Sequence, residues 1–478
     1  MTLRARVAVV GGGVSGLATT YYLSNSDEAT RPEVTLIEGS DRLGGKVLTC
    51  HVAGAVVDMG PDTLVIHTQQ TRRLIEELGL TGALRAPRVS GSYVWSRRRL
   101  RAIPPGLFFG LPERMLPVVW SGILSPLGLA RASLDLVLPR RKLPLDASIG
   151  DLVRPRLGAE VFAQLVEPLL SGAYAGRAEE LSAQSTVPEI NTLARQNRSL
   201  CIGMRRRQKQ RQKQLKQSGP DQSTPTIATL RGGLSSLVEA LASASPSCEI
   251  RTGSPVRRFE QTEQGYRLTL SRGEVLDVEE VVFATPAFVT ADLLEEVSPA
   301  AAAVLRRLPY SDIASVTLAY PRTALTRALD ATGFLVPPGA NKLLVGCSWL
   351  SAKWPQQLAE PVVLLRCLVG GNGDQSWSLL DDAVLVTRVH EELVEMMGLA
   401  APPETTHVHR WPRALPQYTV GHRSRLEQVA EELRRLPGVH LTGAAYEGAG
   451  LANCVAQGER AAKAVLTELA PAAVAGFS

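Results

Sequence analysis

The chain has 478 residues, of which 45% are hydrophobic and 21% are charged, with 41 glycines and 31 prolines. These values are typical of globular proteins and exclude a collagen-like, fibrous or mostly disordered chain. The formal net charge is +6, but residues 205–216 (RRRQKQRQKQLK) carry seven basic residues and no acidic one. The rest of the chain is therefore close to neutral, which excludes a broad basic surface for nucleic acid.

Neither metal binding nor disulfide formation is indicated. The six cysteines are widely spaced, which favours reduced thiols in a cytoplasmic protein. His407 and His409 alternate on one face of an expected strand and lack a third ligand, so we expect no metal. Apolar runs are interrupted before they reach the ~18–20 residues of a membrane-spanning helix, and we expect none.

The first element of the chain is a short apolar strand, Val7–Val10, which leads into a glycine-rich turn. The turn consists of Gly11, Gly12, Gly13, Val14, Ser15 and Gly16. Glycines at its first, third and sixth positions permit a tight turn, the approach of a pyrophosphate and close packing of helix on strand. The second strand, Val34–Ile37, ends in Glu38, which is placed to accept a hydrogen bond from a ribose hydroxyl. This order predicts a dinucleotide site in a Rossmann-like sheet.

The residues after Glu38 resemble the second signature of FAD oxidases of the amine oxidase and porphyrinogen oxidase superfamily. The candidate cofactor residues in this signature are Gly39, Arg42, Gly44, Gly45 and Lys46. The resemblance implies that the signature lies along the pyrophosphate of FAD. A second set, which resembles the stretch that passes the flavin ring, consists of Gly60, Pro61, Asp62 and Thr63. The alternative for this second set is an ordinary turn.

Later segments complete the predicted FAD site by the same resemblance. Val256 stands where the superfamily contacts the adenine through its backbone, and Trp411 is a further candidate for cofactor contact. Near the C-terminus, Gly443 and a turn of Gly450, Leu451 and Ala452 precede a helix expected over residues 454–469. The N-terminus of such a helix can face the flavin, because its free N–H groups and dipole favour an anion.

The predicted cofactor residues are far apart in sequence, and members of this superfamily interleave two domains. We expect an FAD-binding domain built from residues 1–85, 225–290 and 405–478. Residues 86–224, a helical segment of membrane type, and 291–404 would form the substrate domain. The predicted fold class is α/β with two domains, in which a Rossmann-like FAD-binding domain is interleaved with a substrate domain containing a mixed sheet and a helical segment.

Longer blocks are similar to the family of FAD-dependent protoporphyrinogen and coproporphyrinogen III oxidases. Three of them are residues 167–176 (EPLLSGAYAG), 333–337 (GFLVP) and 410–422 (RWPRALPQYTVGH). The family uses FAD and molecular oxygen to oxidise a porphyrinogen in haem biosynthesis, with release of hydrogen peroxide. By position, Gly172 would leave room beside the flavin or accept a pyrrole N–H at its carbonyl, and Leu335 and Leu368 would hold the substrate rings. Both leucines could equally be plain core, and we identify no general base.

The branch of the family decides the expected substrate. Residues 92–95 (SYVW), 199–204 (SLCIGM) and 347–349 (CSW) most resemble the Gram-positive bacterial branch. Plant mitochondrial members place an arginine where Ser92 stands, whereas the branch with a small residue there is taken to act on coproporphyrinogen III. We therefore expect coproporphyrinogen III, with protoporphyrinogen IX as the alternative. Another oxidase of the superfamily and a redox-silent FAD-binding protein are the further alternatives.

Two segments are not explained by this chemistry. Residues 102–130 hold two charges, Glu113 and Arg114, and five prolines. We expect them to form short helices around the substrate entrance that dock on a haem-pathway enzyme or lie shallowly on a membrane; the alternative is an internal core. The basic run 205–216 has no aromatic residue to stack on bases. We expect a solvated loop there, or a contact with an anionic membrane or an acidic partner, and no nucleic acid. The expected location is the cytoplasm, with peripheral membrane association as an alternative.

Overall fold

The structure is a computed structural model that describes residues 4–66, 68–217, 226–357, 362–371, 373 and 375–474. These residues form 22 β-strands and 18 α-helices, numbered in chain order. The strands are β1 Arg6–Val10, β2 Glu33–Ile37, β3 Thr49–Val52, β4 Ala55–Asp58, β5 Leu64–Val65, β6 Leu84–Arg85, β7 Tyr93–Ser96, β8 Arg99–Ala102, β9 Leu107–Phe108, β10 Leu111–Pro112, β11 Ile227–Leu230, β12 Cys248–Arg251, β13 Val256–Thr262, β14 Gly265–Leu270, β15 Val275–Val278, β16 Glu280–Phe283, β17 Tyr310–Pro321, β18 Gly333–Leu335, β19 Leu344–Trp349, β20 Val362–Gly370, β21 Thr405–Pro416 and β22 Val439–Leu441.

The helices are α1 Val14–Ser24, α2 Gln69–Glu77, α3 Met115–Ser121, α4 Pro126–Ser133, α5 Ile149–Leu157, α6 Ala159–Val161, α7 Glu167–Tyr174, α8 Ala183–Thr186, α9 Pro188–Gln196, α10 Leu200–Gln217, α11 Ser235–Ser243, α12 Ala287–Leu294, α13 Pro299–Arg306, α14 Leu350–Lys353, α15 Asp382–Met397, α16 His422–Leu433, α17 Ala444–Glu447 and α18 Leu451–Val474. No helix in the described part of the chain is both long enough and apolar enough to cross a membrane.

A five-stranded parallel sheet has the order β12-β2-β1-β16-β22. Its central strands are apolar along nearly their whole length because helices or strands cover both faces. One face packs against α1, α11 and α18, and the other against β13–β15 and α12–α13. This arrangement confirms the predicted Rossmann-like sheet. Its strands come from all three segments that were predicted to form the FAD-binding domain.

A seven-stranded mixed sheet has the order β21-β17-β20-β19-β18-β7-β8. Its neighbouring strands are antiparallel except for β18 and β7. One face is covered by α15 and is apolar, whereas the other face lies toward the β3–β4 hairpin and α7. Strand β21 belongs to this sheet, although it falls within the segment 405–478 that was predicted to be part of the FAD-binding domain. The predicted domain boundaries therefore stay a prediction.

A helical region, α3 to α10, packs around a core of its own. The prediction of a loop at residues 205–216 is wrong, because these residues lie in α10. Arginine, lysine and glutamine are good helix formers, and Arg207 anchors the helix. Its guanidinium carbon lies 3.5 Å from the ring centroid of Phe108, and its Nη1 lies 2.8 Å from a carboxylate oxygen of Glu113.

His422, at the start of α16, is a buried histidine with 2% of its surface exposed. Its ring lies edge to face with that of Tyr418, at a centroid distance of 5.1 Å. Burial, together with the positive charge of Arg425, lowers the pKa of His422 from 6.5 to about 4. The imidazole is therefore neutral in the folded protein at pH values where an exposed histidine is already charged.

We expect the free energy of unfolding to fall as the pH drops from about 6.5 toward 4. In this window the unfolded chain takes up a proton on His422 that the folded chain does not, whereas above pH 6.5 both states are neutral. The loss should be about 2 kcal/mol at pH 5 and about 3 kcal/mol at pH 4. Denaturant unfolding of the wild type and of His422→Gln at pH 7 and pH 5 measures it. An equal loss of stability in both proteins would contradict this account.

Candidate active site

The glycine-rich turn between β1 and α1 forms an open cradle. A Cβ atom on Gly16 would lie 1.9 Å from the carbonyl oxygen of Gly11, and one on Gly11 would lie 2.9 Å from the carbonyl carbon of Ala284. Glycine is therefore required at both positions for the backbone to pack so closely. A Cβ atom on Gly13 would meet no atom within 4 Å. Space thus remains outside the turn, where Val14 and Ser15 begin α1 and its free N–H groups favour an anion.

The second glycine segment lines the same space. The amide of Gly44 donates to the carbonyl of Gly12 at 2.8 Å. A Cβ atom on Gly45 would lie 3.3 Å from the Cα of Gly13. The two glycine signatures, predicted from separate stretches of sequence, are therefore in direct contact.

The side chain of Arg42 binds the backbone of the second glycine segment. Its guanidinium donates to the carbonyl oxygens of Leu43 at 3.2 Å, Gly45 at 2.5 Å and Val47 at 3.1 Å. It also lies 6.0 Å from the ring centroid of Trp411. The resemblance placed Arg42 along the pyrophosphate, whereas the structure shows it holding the loop that carries Gly44 and Gly45.

The predicted adenosine residues lie together at the end of β2. Glu38 accepts hydrogen bonds through Oε2 from the amide of Gly12 at 2.7 Å and through Oε1 from the amide of Ser40 at 2.8 Å. A Cβ atom on Gly39 would lie 3.3 Å from the Cβ of Pro255, the residue before Val256. The carboxylate of Glu38 is thereby fixed between the glycine-rich turn and Ser40.

Two helix N-termini meet at the cradle. Helix α18 begins with Leu451 and Ala452, directly after Gly450. Farther along this helix, a Cβ atom on Gly458 would lie 2.6 Å from the carbonyl oxygen of Ser15, so α18 packs tightly on α1. A Cβ atom on Gly443 would lie 4.0 Å from the Oγ of Ser15. Two partial positive charges therefore point toward one region.

Lys46 adds a full positive charge to this region. Its Nζ lies 5.6 Å from the ring centroid of Tyr310. In the described part of the chain its side chain forms neither an ion pair nor a hydrogen bond, and burial lowers its pKa to about 8. An unpaired, desolvated ammonium group favours an anionic ligand. Together with the open space at Gly13, this cation shows that the residues present fit the pyrophosphate of FAD.

The segment from Gly60 to Thr63 passes close to Lys46, since a Cβ atom on Gly60 would lie 2.0 Å from the carbonyl oxygen of Lys46. The carboxylate of Asp62 accepts hydrogen bonds from Lys353 at 3.1 and 3.0 Å and lies 3.3 Å from Arg366. Burial alone would raise the pKa of Asp62, but the two cations hold it well below its ordinary value. The Asp62 side chain is thus used in an ion pair, and the backbone from Gly60 through Pro61 is the part left to face a flavin.

Sequence reasoning missed Lys353 and Arg366. Arg366 is 4% exposed and lies in the otherwise apolar strand β20. A single charge within a buried run such as VVLLRCLVG indicates a buried partner of opposite charge. That signal was present in the sequence, although the identity of the partner was not.

The predicted substrate residues share one surface, here called the leucine surface and formed by Gly172, Leu335, Gly346 and Leu368. A Cβ atom on Gly172 in α7 would lie 2.8 Å from Cδ2 of Leu335 in β18. Leu335 is in register with Gly346 of β19, which is in register with Leu368 of β20. Both leucines are half-buried. A Cβ atom on Gly346 would lie 3.2 Å from Cδ2 of Leu335, so the Leu335 side chain lies over Gly346 and against Gly172.

The chain is similar to known flavoproteins over nearly its whole length. The family model described as flavin-containing amine oxidoreductase matches residues 14–466. The coproporphyrinogen III oxidase of Bacillus subtilis (strain 168) is 34% identical over 472 residues, covering 98% of this chain and 99% of that protein. The coproporphyrinogen III oxidase of Staphylococcus aureus (strain NCTC 8325 / PS 47) is 31% identical, covering 97% and 99%. The crystal structure of a protein named as a protoporphyrinogen oxidase, from Exiguobacterium sp. 255-15, is 30% identical in sequence and has a TM-score of 0.84. The match covers 97% of this chain and 99% of that chain.

These matches extend over nearly the whole chain and confirm the predicted resemblance, the α/β flavoprotein fold and the flavin cofactor. The oxidoreductase class is confirmed with them, because the family is defined by flavin-dependent oxidation. The chain belongs to the family of flavin-containing amine oxidoreductases.

Proposed function

We propose that the protein oxidises coproporphyrinogen III to coproporphyrin III, with molecular oxygen as the final acceptor and hydrogen peroxide as the released product. The observation that carries this proposal is the leucine surface, which suits a broad apolar ring system. The similarity to two coproporphyrinogen III oxidases over nearly the whole chain supports the choice of substrate. Protoporphyrinogen IX, with the same chemistry, is the second candidate.

FAD, when bound, supplies the chemistry of accepting electron pairs from the substrate and passing them to oxygen. The residues that would hold it are those of the cradle, with Gly13 and Lys46 at the pyrophosphate, Glu38 at a ribose and Val256 at the adenine. The backbone of Gly60 and Pro61 would face the ring system. The family resemblance implies these roles, and the open space at Gly13 and the unpaired charge of Lys46 support the two at the pyrophosphate.

The remaining residues bind and orient the substrate. Leu335 and Leu368 offer apolar side chains to one face of the macrocycle and exclude water from it. Gly172 and Gly346 have no side chains and leave room for the side chain of Leu335, which would contact the ring. Ser92, whose Oγ lies 2.9 Å from the Oγ1 of Thr332, places no positive charge at its position. We assign no general base. Solvent, or the substrate itself, would take up the proton that leaves a pyrrole nitrogen.

Lys46→Met should weaken FAD binding about tenfold or more, because a charge-assisted contact contributes roughly 1.5–3 kcal/mol. In the wild type, affinity should be highest below pH 8 and fall as the pH rises through 8, since the free protein then loses the proton that the phosphates favour. Fluorescence titration of FAD into apoprotein from pH 6 to 9 measures both effects. Lys463→Met, which alters an exposed lysine of α18, is the matched control. A wild-type affinity with no change across this range would refute the role of Lys46.

Turnover should be faster on coproporphyrinogen III than on protoporphyrinogen IX, with kcat/KM at least about tenfold higher because the two substrates differ by two carboxylates. Porphyrin fluorescence, oxygen uptake and peroxide release are followed under one condition. Faster turnover of protoporphyrinogen IX would favour the second candidate. FAD-loaded protein that oxidises neither substrate would favour another oxidase of the family or a redox-silent binding protein.

An exposed apolar face lies on α3 and α4. Leu116 is 66% exposed, Trp120 81% and Leu127 83%, and the first two lie on one side of α3. The predicted apolar segment is thus partly surface and partly core, since Val118 and Leu111 are buried in the same region.

Most charges near this face in the sequence are positive, although Glu160 accepts hydrogen bonds from Ser125 at the start of α4. Between residues 114 and 145 the one acidic residue is Asp135, and it is fully buried. Arg140, Arg141 and Lys142 are exposed, and α10 packs near the same region with exposed Arg205 and Lys209. An apolar face with a cationic rim suits the surface of an anionic membrane. We propose shallow, peripheral membrane contact here, with docking on a haem-pathway enzyme as the alternative.

Trp120→Asp combined with Leu127→Asp should abolish binding to vesicles that contain phosphatidylserine while leaving the fold intact, because both side chains are exposed. Wild-type binding should weaken at high salt, since each basic residue near the surface contributes about 1 kcal/mol. Val118→Asp, on the buried side of α3, is the contrasting variant and should fail to fold. Co-sedimentation with vesicles measures the binding. Failure of the wild type to bind at low salt would leave the protein partner as the remaining alternative.

A further inference from the structure

The segment Asp58–Thr63 is held against the seven-stranded sheet through its own backbone. Arg366 donates through Nη1 to the carbonyl oxygen of Gly60 at 3.0 Å and to that of Asp58. Trp411 donates through Nε1 to the carbonyl oxygen of Met59 at 3.1 Å. Three consecutive carbonyl groups are therefore bound by side chains of β20 and β21, which fixes the path of the backbone.

The side chains of the same segment are held by charge. Lys353 donates to the Oγ1 of Thr63 at 2.9 Å in addition to its two contacts with Asp62. The side chains of Lys353, Asp62 and Arg366 are 13%, 12% and 5% exposed. A buried ionic group that loses its partner is strongly disfavoured, so the three charges hold one another in place.

The elements that carry these cations also carry the leucine surface. Arg366 precedes Leu368 by two residues in β20, and side chains two apart in a strand point to the same face. Helix α14, which ends in Lys353, directly follows β19, the strand of Gly346. Two members of the leucine surface, Gly346 and Leu368, thus lie in strands that carry or directly precede the cations holding the segment Asp58–Thr63.

We propose that Arg366, assisted by Lys353, is a positioning residue that sets the separation between the leucine surface and the flavin-facing backbone of Gly60 and Pro61. The proposal rests on the proposed function, because it requires the substrate on one side of this separation and FAD on the other. It assigns to Arg366 no contact with either of them.

The two half-reactions of an oxidase should respond differently to a change in this separation. Reduction of the flavin requires the donor carbon and the acceptor atom to be held close together, and a misplacement of about 1 Å can slow such a step about a hundredfold. Reoxidation requires a small, freely diffusing oxygen molecule and no alignment of a second large ligand. If the segment Asp58–Thr63 is held less firmly, reduction of the flavin should therefore slow, whereas its reoxidation should not.

The test uses the FAD-loaded enzyme in four variants. Arg366→Met and Lys353→Met remove one cation each. Arg366→Lys keeps the charge but loses the planar guanidinium, whose Nη1 binds two carbonyl groups while its Nη2 lies 3.3 Å from Asp62. Arg410→Met is the matched control, because this arginine of β21 pairs with Asp382 on the opposite face of the sheet. Anaerobic stopped flow with coproporphyrinogen III measures flavin reduction, and mixing of the reduced enzyme with oxygen measures reoxidation.

Arg366→Met should retain FAD, reduce its flavin about a hundredfold more slowly and change reoxidation less than about threefold. Lys353→Met and Arg366→Lys should show smaller losses in the same half-reaction, and Arg410→Met should match the wild type. The visible circular dichroism of bound FAD should change in Arg366→Met and in Arg366→Lys, which reports the altered surroundings of the ring without any substrate.

Equal losses in both half-reactions, or an unchanged rate of reduction, would overturn the proposal. If Arg366→Met fails to fold, the rates measured on Arg366→Lys test the proposal instead. This variant should fold, because Asp62 keeps two cationic partners. An inactive wild type would reject the proposed function alone, because the dichroism of the Arg366 variants still reports on the attachment. Unchanged dichroism in both Arg366 variants would then reject the positioning role as well.

Discussion

The site depends on backbone contacts so close that no side chain fits between them. Gly16 packs on the carbonyl of Gly11, Gly458 packs on that of Ser15, and Gly60 packs on that of Lys46. Each contact joins backbone segments at the cradle, and any Cβ atom there would have to displace backbone atoms. These contacts bring the two helix N-termini and the flavin-facing segment to one place. The electrostatics of the site follow, because a dipole or a charge acts strongly only at short range.

The two faces of the seven-stranded sheet have different roles. The face under α15 is filled with apolar side chains such as Val316 and Leu365, which stabilise the sheet by burial. The other face carries Arg366, Leu368 and Trp411, which contact the FAD-binding segments or form the leucine surface. The alternation of side chains along a strand is what allows one element to serve both packing and binding.

The elements that could be predicted from sequence are those whose signal is local. The apolar run at Val7–Val10, the glycine-rich turn and the strand ending at Glu38 each carry their own pattern, and the structure has them within a residue of the expected bounds. Helix α10 was missed because its uniform charge suggested a solvated loop, whereas its helix propensity and the packing of Arg207 on Phe108 favour a helix. Asp62 was assigned to the cofactor, but its side chain pairs with Lys353 and Arg366.

The remaining features depend on long-range register. Gly172, Leu335 and Leu368 came from a family resemblance, and no periodicity in the sequence indicates that β18, β19 and β20 align them on one surface. Lys353 and Arg366 lie about 290–310 residues from the segment that they hold. Pairing over such distances is decided by the topology of the whole chain, which local propensity does not encode.

The strand order β12-β2-β1-β16-β22 also governs how the chain acquires its fold during synthesis. Along the chain, the first strand of this sheet begins at Arg6 and the last one ends at Leu441. Helix α18 can cover α1 only after residue 451 has been made. At roughly 5–20 residues per second, the ribosome leaves the glycine-rich turn without its final neighbours for about 20–90 s. Throughout that interval the apolar faces of β1 and α1 are open to wrong partners. The topology thus leaves the face of α1 that packs on α18 uncovered until synthesis of the chain is nearly finished.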